Sequence, residues 1–406
     1  MKKIVTTGLF FIVLFFNSLI FAQQNDKTVV AFTKSIEQEK KQEYVPAIET
    51  MLSLNDSTSY EVNLRLGWLN YKAGNKKKSM EFYNKAIQTK PNAIEPRYGY
   101  GFPAYSLGDF NDLIEQDKKI LQIDPNNKII NGNLGSIYYY NKEYTKALSY
   151  LEKVNALYPF DYDNNLMLGW TNLRMGNNAE AEKYFNIVHL YIPNDASANE
   201  GFTAIKRVAP NDEKLMAGLT KAYEFASKTD YKSAVNSVKN VYDKSSYFLN
   251  LKLGWYCYLA GLQAEAVNYY KIASELKPNS VEPKLGCAIP TEILGNKNDL
   301  KNHFDNIIAI DPHNTYAHYK LGVLAYEKKE YEKAFTYFEK VMSLYPTDAD
   351  ALLMQAWTNY QLNKTSESKA LFNKVLCFSP NNASAINGLS LKPIDQIKKS
   401  APLKSY

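Results

Sequence analysis

Between Tyr60 and Ala93, apolar and small residues recur at helical spacing in two short runs separated by a polar turn. The stretch carries Leu66-Gly67, Tyr71, Gly74, Ser79, Tyr83, Ala86 and Pro91. Gly74-Asn75 reads as the turn between the runs, and Pro91-Asn92 as the turn after them. The pattern predicts two antiparallel helices. Gly67 and Ala86 are small where the two backbones must approach, and larger residues fill the groove between them. Pro91 lacks an N–H and ends the second helix.

The same spacing returns in units beginning at Ile94, Lys128 and Tyr162. The first of these holds Gly101, Gly108, Leu113, Ile120 and Pro125. The next has Leu134-Gly135, Tyr144, Ala147, Leu151 and Pro159, and the last Leu168-Gly169, Gly176, Ala181, Phe185 and Pro193. A single helix pair cannot bury its apolar face, so neighbouring pairs must stack on one another. This order of small and large residues over about 34 positions resembles the tetratricopeptide repeat. The resemblance implies an all-α fold, an α-solenoid of stacked antiparallel helix pairs.

A longer period overlies the short one. Gly67 and Trp68 recur as Gly254 and Trp255, Pro91 as Pro278, Pro103 as Pro290, and Trp170 as Trp357, always 187 positions on. Val29 to Ser59 reads as a shortened first repeat, and Ala196 to Arg207 as a lone helix covering the last apolar face. The chain is therefore expected to be two tandem-duplicated five-repeat blocks, 23–207 and 214–392, joined by a linker over 208–213 and followed by a loose tail over 393–406. Because stability in such arrays accumulates through neighbour interfaces, Tyr60–Ala93 alone should be unfolded and residues 23–207 should fold by themselves. Pro103 and Pro290 fall inside first helices, where each should remove a hydrogen bond and kink or shorten its helix.

Residues 1–22 break from this pattern. Lys2 and Lys3 precede an apolar run from Ile4 to Phe21, closed by Ala22 and followed by Gln23-Gln24-Asn25-Asp26. That is the layout of a cleavable secretory signal peptide, with an uncleaved membrane anchor as the alternative, and it points to the periplasm of a Gram-negative bacterium or to a secreted form. Later stretches are not apolar enough to span a bilayer.

The net charge of +6 is too mild to imply nucleic acid as the partner. The thiols Cys257, Cys287 and Cys377 show no paired spacing and read as core residues. His313 and His318 stand five apart, which is not the spacing that puts two imidazoles on one helix face for zinc. Without a phosphate loop, a nucleophile elbow or a ligand cluster, the sequence predicts neither catalysis, nor a metal, nor a cofactor.

Function is then expected on surfaces. The family resemblance implies that positions 2, 5, 9, 12 and 13 of each unit line a concave face. All four tryptophans, Trp68, Trp170, Trp255 and Trp357, occupy position 9. With Tyr71, Phe102, Tyr105, Tyr139, Tyr258, Tyr326 and Tyr360 they form the expected partner-binding set. Such rings give large contact area with a polar handle. If the tryptophans line an open groove, their indole N–H groups need no internal partner; if they pack helix on helix, they close it. The carboxylate clamp that some relatives build from Lys at position 5 and Asn at position 9 is missing from every unit. The reading is an exported, non-enzymatic scaffold for a protein or peptide partner in the envelope, with a glycan-binding module as the alternative.

Overall fold

Each helix pair is set by a cap and a tight turn. Ser59, Asp161, Asp195 and Asp348 each accept a hydrogen bond from the backbone N–H three residues on, satisfying a donor the helix cannot. The turn within a pair needs one residue in the left-handed region; Gly74 and Gly261 supply it at φ of 82° and 77°. Lys142 and Lys329 hold the corresponding places in their pairs at φ of 63°.

The computed structural model describes residues 27–206 and 212–393. The predicted signal segment 1–22, positions 208–211 of the linker and positions 394–406 of the tail lie outside the described residues. Within them every regular element is a helix. The first block pairs residues 27–40 with Tyr44–Leu52, Tyr60–Lys72 with Lys76–Thr89, and Glu95–Leu107 with Phe110–Ile123. Lys128–Tyr140 then pairs with Tyr144–Leu157, Tyr162–Arg174 with Asn178–Tyr191, and Ala196–Ala204 closes the block. The second block repeats this from Glu213–Ser227 to Thr365–Phe378 and closes with Ala383–Ser390. The fold is all-α, an α-solenoid of antiparallel helix pairs, five to a block. Both interior prolines are accommodated: Glu95–Leu107 runs through Pro103 and Glu282–Ile293 through Pro290.

Stacking rests on a repeated wedge. In three repeats a large ring from the second helix inserts between the backbone of its own first helix and that of the next first helix or closing helix. A Cβ on Gly169 would lie 2.5 Å from the Phe185 ring, and one on Gly201 only 2.3 Å from it. Tyr83 sits in the same way between Gly67 and Gly99, and Tyr270 between Gly254 and Gly286. At position 4, where the family more usually keeps a tryptophan, Asn63, Asn131, Asn165 and Asn250 each tie their helix to the turn before it. Asn165 Nδ2, for example, donates to Pro159 O at 3.0 Å and Asp161 O at 2.7 Å.

The contacts divide the chain differently from the duplication. One compact unit joins residues up to 123 with those from 318 onward, and the other spans 124–317. Each unit thus takes part of both sequence blocks. In the first unit Phe32, Met51, Leu66 and Leu69 share a core with Cys377, and Phe32 meets the Phe378 ring edge-on at 5.6 Å. Ile94 N–H donates to Leu344 O at 2.8 Å, and Lys374 pairs with Glu61. In the second unit Leu151, Leu168 and Ile187 share a core with Leu219, Leu251 and Tyr256. There Val281 N–H donates to Leu157 O at 3.0 Å. Ile94 and Val281 are separated by 187 positions, as are Leu157 and Leu344, so the same bond is made twice with the blocks exchanged. The ion pair is not repeated: Ile187 and Phe248, the counterparts of Lys374 and Glu61, pack in the apolar core.

Candidate functional site

A buried glutamate marks each of these junctions. Glu95 accepts hydrogen bonds from Tyr60 Oη at 2.9 Å and from Thr347 N–H at 3.3 Å, and the Thr347 hydroxyl also donates to it. Its counterpart Glu282 accepts from Phe160 N–H at 3.0 Å and Tyr247 Oη at 3.1 Å. Both first helices begin with Glu-Pro, which aims the carboxylate back across the junction. Burial raises both carboxyl pKa values against the pull of these donors, Glu282 to about 7.

Beside Glu282 lies a cavity of about 390 Å³ in the second unit. Phe160, Tyr191, Tyr223 and Trp255 line it together with Lys252 and Glu282. Lys252 comes from position 6 of its repeat, on the helix Tyr247–Leu259, and is buried. Its ammonium donates to Leu190 O and Tyr191 O, both at 2.9 Å, at the end of the helix Asn178–Tyr191. It also lies over the Tyr191 and Tyr256 rings at 5.9 and 5.6 Å. Burial lowers its pKa to about 8. Trp255 is 49% exposed, touches Tyr258 at 5.7 Å, and among the described residues its indole N–H has no hydrogen-bond partner.

The other three tryptophans differ. Trp68 donates to Glu39 Oε1 at 2.6 Å, Trp170 to Ser197 Oγ at 3.0 Å and Trp357 to Ser384 Oγ at 2.9 Å. All three are half-buried, so they pack between neighbouring helices, and the expectation of free indoles holds for Trp255 alone. Trp170 also meets Phe185 edge-on at 5.4 Å, and Trp357 meets Phe372 at 5.0 Å. Of the predicted tyrosines, Tyr71, Tyr139, Tyr258 and Tyr326 are half-buried, and Tyr360 is buried with its hydroxyl on Lys392 O. Phe102 and Tyr105 are exposed, at 40% and 65%. In the first unit Trp68, Tyr71, Phe102 and Tyr98 form one run of rings, successive centroids 5.4 to 5.9 Å apart. Each unit thus carries its own aromatic feature, a ring run in the first and a ring-lined cavity in the second.

Glu39, Lys252, Glu95 and Glu282 lie outside the set of residues predicted from the sequence. The 187-residue shift held a signal for three of them, because Glu95 matches Glu282 and Arg65 matches Lys252. Conserved charge in both copies at otherwise apolar junctions is the sign of a buried polar group. Glu39 gave no such signal, since Ala226 stands at its shifted position.

No group of three or more histidine, cysteine, aspartate or glutamate side chains among the described residues could hold a metal ion. Cys287 Sγ lies 3.3 Å from His303 Nε2, but burial raises the thiol pKa and lowers that of the imidazole. Both groups stay neutral, which leaves no thiolate to act as a nucleophile. Cys257 and Cys377 are likewise free, buried thiols, raised by burial to about 11 and about 12.

The two displaced pKa values predict opposite slopes of stability with pH. Between about 4.5 and about 7 the folded chain keeps a proton on Glu282 that the unfolded chain has released, so stability falls as pH rises through this window. Between about 8 and about 10.5 the unfolded chain holds a proton that folded Lys252 has lost, so stability rises. Each group contributes a slope of at most about 1.4 kcal/mol per pH unit. Urea midpoints of Glu282→Gln measured against the wild type should show the acid-side slope reduced and the alkaline side unchanged.

Tetratricopeptide-repeat family models match residues 60–93, 130–161, 315–348 and 350–376. These stretches coincide with the helix pairs described above, and the chain is a tetratricopeptide-repeat protein. Among curated relatives it is similar to the TPR repeat-containing protein MJ1428 of Methanocaldococcus jannaschii, 23% identical over 72% of this chain and 58% of that protein. It is also similar to the anaphase-promoting complex subunit 6 of Arabidopsis thaliana, 27% identical over 31% of this chain and 24% of that protein. The chain therefore spans little more than half of the first and about a quarter of the second. Among solved structures it is similar to MamA, 23% identical over 40% of this chain and 96% of that one, with a TM-score of 0.37. A tetratricopeptide repeat protein from Parabacteroides merdae is 16% identical over 66% and 99% of the two chains, with a TM-score of 0.39. At such scores these likenesses carry nothing about how this chain's repeats are arranged.

Proposed function

We propose that the chain is an exported, non-enzymatic scaffold of the cell envelope that holds a protein or peptide partner on its ring-rich faces. Proteins of this repeat family bind protein or peptide partners, and a stack of helix pairs offers surface rather than catalytic groups. The observation that carries the reading is the exposed run in the first unit. There Tyr98, Phe102 and Tyr105 keep 39%, 40% and 65% of their surface in water. Exposed aromatic side chains grouped in this way mark contact surfaces. The apolar segment from Ile4 to Phe21 followed by Ala22 supports export. No helix among the described residues is long and apolar enough to cross a membrane.

The chain from Gln23 onward, immobilised and washed with the envelope fraction of its host, should retain a partner in near-stoichiometric amount. The double variant Phe102→Ser, Tyr105→Ser should retain about tenfold less or weaker still, because two ring anchors are lost. Equal retention by wild type and variant would move the binding surface elsewhere. Retention on a polysaccharide matrix, with no protein recovered, would favour the glycan-binding alternative.

A further inference from the structure

The duplication allows one copy of the fold to be read as a key to the other. In the first unit the position-6 cation is Arg65 and the position-9 ring is Trp68. One carboxylate binds both. Glu39, on the helix over 27–40, pairs with Arg65 Nη1 at 2.5 Å and accepts the Trp68 indole N–H at 2.6 Å. The cation and the carboxylate keep only 12% and 22% of their side-chain surface exposed. In the second unit the cation and ring persist as Lys252 and Trp255, but the position of Glu39 is taken by Ala226, on the helix Glu213–Ser227. Truncating that side chain leaves the ring half in water and its N–H without a partner. Lys252 turns to two main-chain carbonyls, which use two of its three donors. Both Lys252 and Trp255 line the cavity of about 390 Å³, which Phe160, Tyr191 and Tyr223 also wall.

We infer that this cavity is a recognition site for the side-chain carboxylate of a glutamate in a peptide partner, held by the Trp255 indole N–H and the Lys252 ammonium. The chemistry is the one the first unit already satisfies within its own chain. A glutamate reaching in from the partner would take the place of the missing carboxylate, with its neighbours lying on the aromatic walls. A charge-assisted hydrogen bond to a buried ammonium is stronger than one between neutral groups. Glu282, which lines the same cavity, is occupied with Phe160 N–H and Tyr247 Oη. The site rests on the reading of the chain as a peptide-binding scaffold and names the partner chemistry at one of its faces.

The test titrates an end-capped pentapeptide, a central glutamate flanked by leucines, into the full chain by calorimetry, beside the same peptide with glutamine. The glutamate peptide should bind at one site and at least about tenfold more tightly than its glutamine counterpart. Ala226→Glu, which installs the carboxylate of the first unit, should weaken that binding by about tenfold or more while the chain stays folded. Glu39→Ala should open the equivalent place in the first unit and raise the stoichiometry from one to two. Glutamate and glutamine peptides binding within about twofold of each other, or binding unchanged in Ala226→Glu, overturns the assignment. Should Ala226→Glu misfold, the stoichiometry of Glu39→Ala decides alone: a value that stays at one overturns it. If an envelope partner is retained by the chain but the glutamate peptide is not bound, this site falls and the scaffold reading stands. If no partner is retained at all, the scaffold reading falls.

Discussion

A chain cut between residues 207 and 211 should remain a single particle. The duplication places the cut between two blocks of similar sequence, and repeat arithmetic alone expects each block to stand by itself. The contacts oppose that expectation, because both compact units draw on both blocks. Separating 27–206 from 212–393 would strip Cys377 and Phe378 from the core around Phe32 and Met51. It would also separate Leu151, Leu168 and Ile187 from Leu219, Leu251 and Tyr256. The buried carboxylates of Glu95 and Glu282 would lose Thr347 and Phe160, their partners from the other block. Losing one partner of a buried charged hydrogen bond costs about 1.5–3 kcal/mol, and two such junctions break at once. A protease site placed in the connection, followed by size-exclusion chromatography at micromolar concentration, should give one peak holding both fragments. Residues 23–207 produced alone should aggregate or self-associate through the surfaces left bare. A monomeric first block with a cooperative unfolding transition would refute this account of the two units.

Phe185→Ala should cost about 3–5 kcal/mol, as for other large-to-small changes at fully buried aromatics. Phe185 is 0% exposed and is held between two helix backbones at Gly169 and Gly201. It also contacts Trp170 and Phe202 at 5.4 and 5.9 Å. The surrounding structure relaxes only partly around such a truncation, so a cavity remains. Filling the opposite side should hurt as well: Gly201→Ala forces a Cβ to within 2.3 Å of the same ring, and overpacking of this kind typically costs about 1–3 kcal/mol. Urea unfolding followed by circular dichroism is the check. The midpoint should drop with an unchanged slope, which marks lost stability rather than a changed unfolded state. A variant within experimental error of the wild type would show that the wedge does not hold the stack together.

The sequence by itself determined the helix pairs and their succession. Small residues at Gly67, Gly135 and Gly169, and the turns at Gly74 and Gly176, act within one pair or between adjacent pairs, so a linear pattern of about 34 positions is enough to reveal them. The five pairs and closing helix of each block were legible for the same reason. The long pairing was not. Ile94 with Leu344, and Val281 with Leu157, join residues far apart in the chain, and nothing in a repeat pattern says which distant surfaces meet. The same limit governs the candidate site. Four tryptophans at one repeat position look alike in the sequence, yet Trp68, Trp170 and Trp357 find partners on neighbouring helices and Trp255 does not. Trp68 owes its partner to Glu39 on another helix, where the second block has Ala226, and only the tertiary structure places Glu39 against the Trp68 ring. Local periodicity encodes which face of a helix is buried. Whether a polar group on that face is satisfied depends on side chains that folding brings from elsewhere, and that was decided in three dimensions alone.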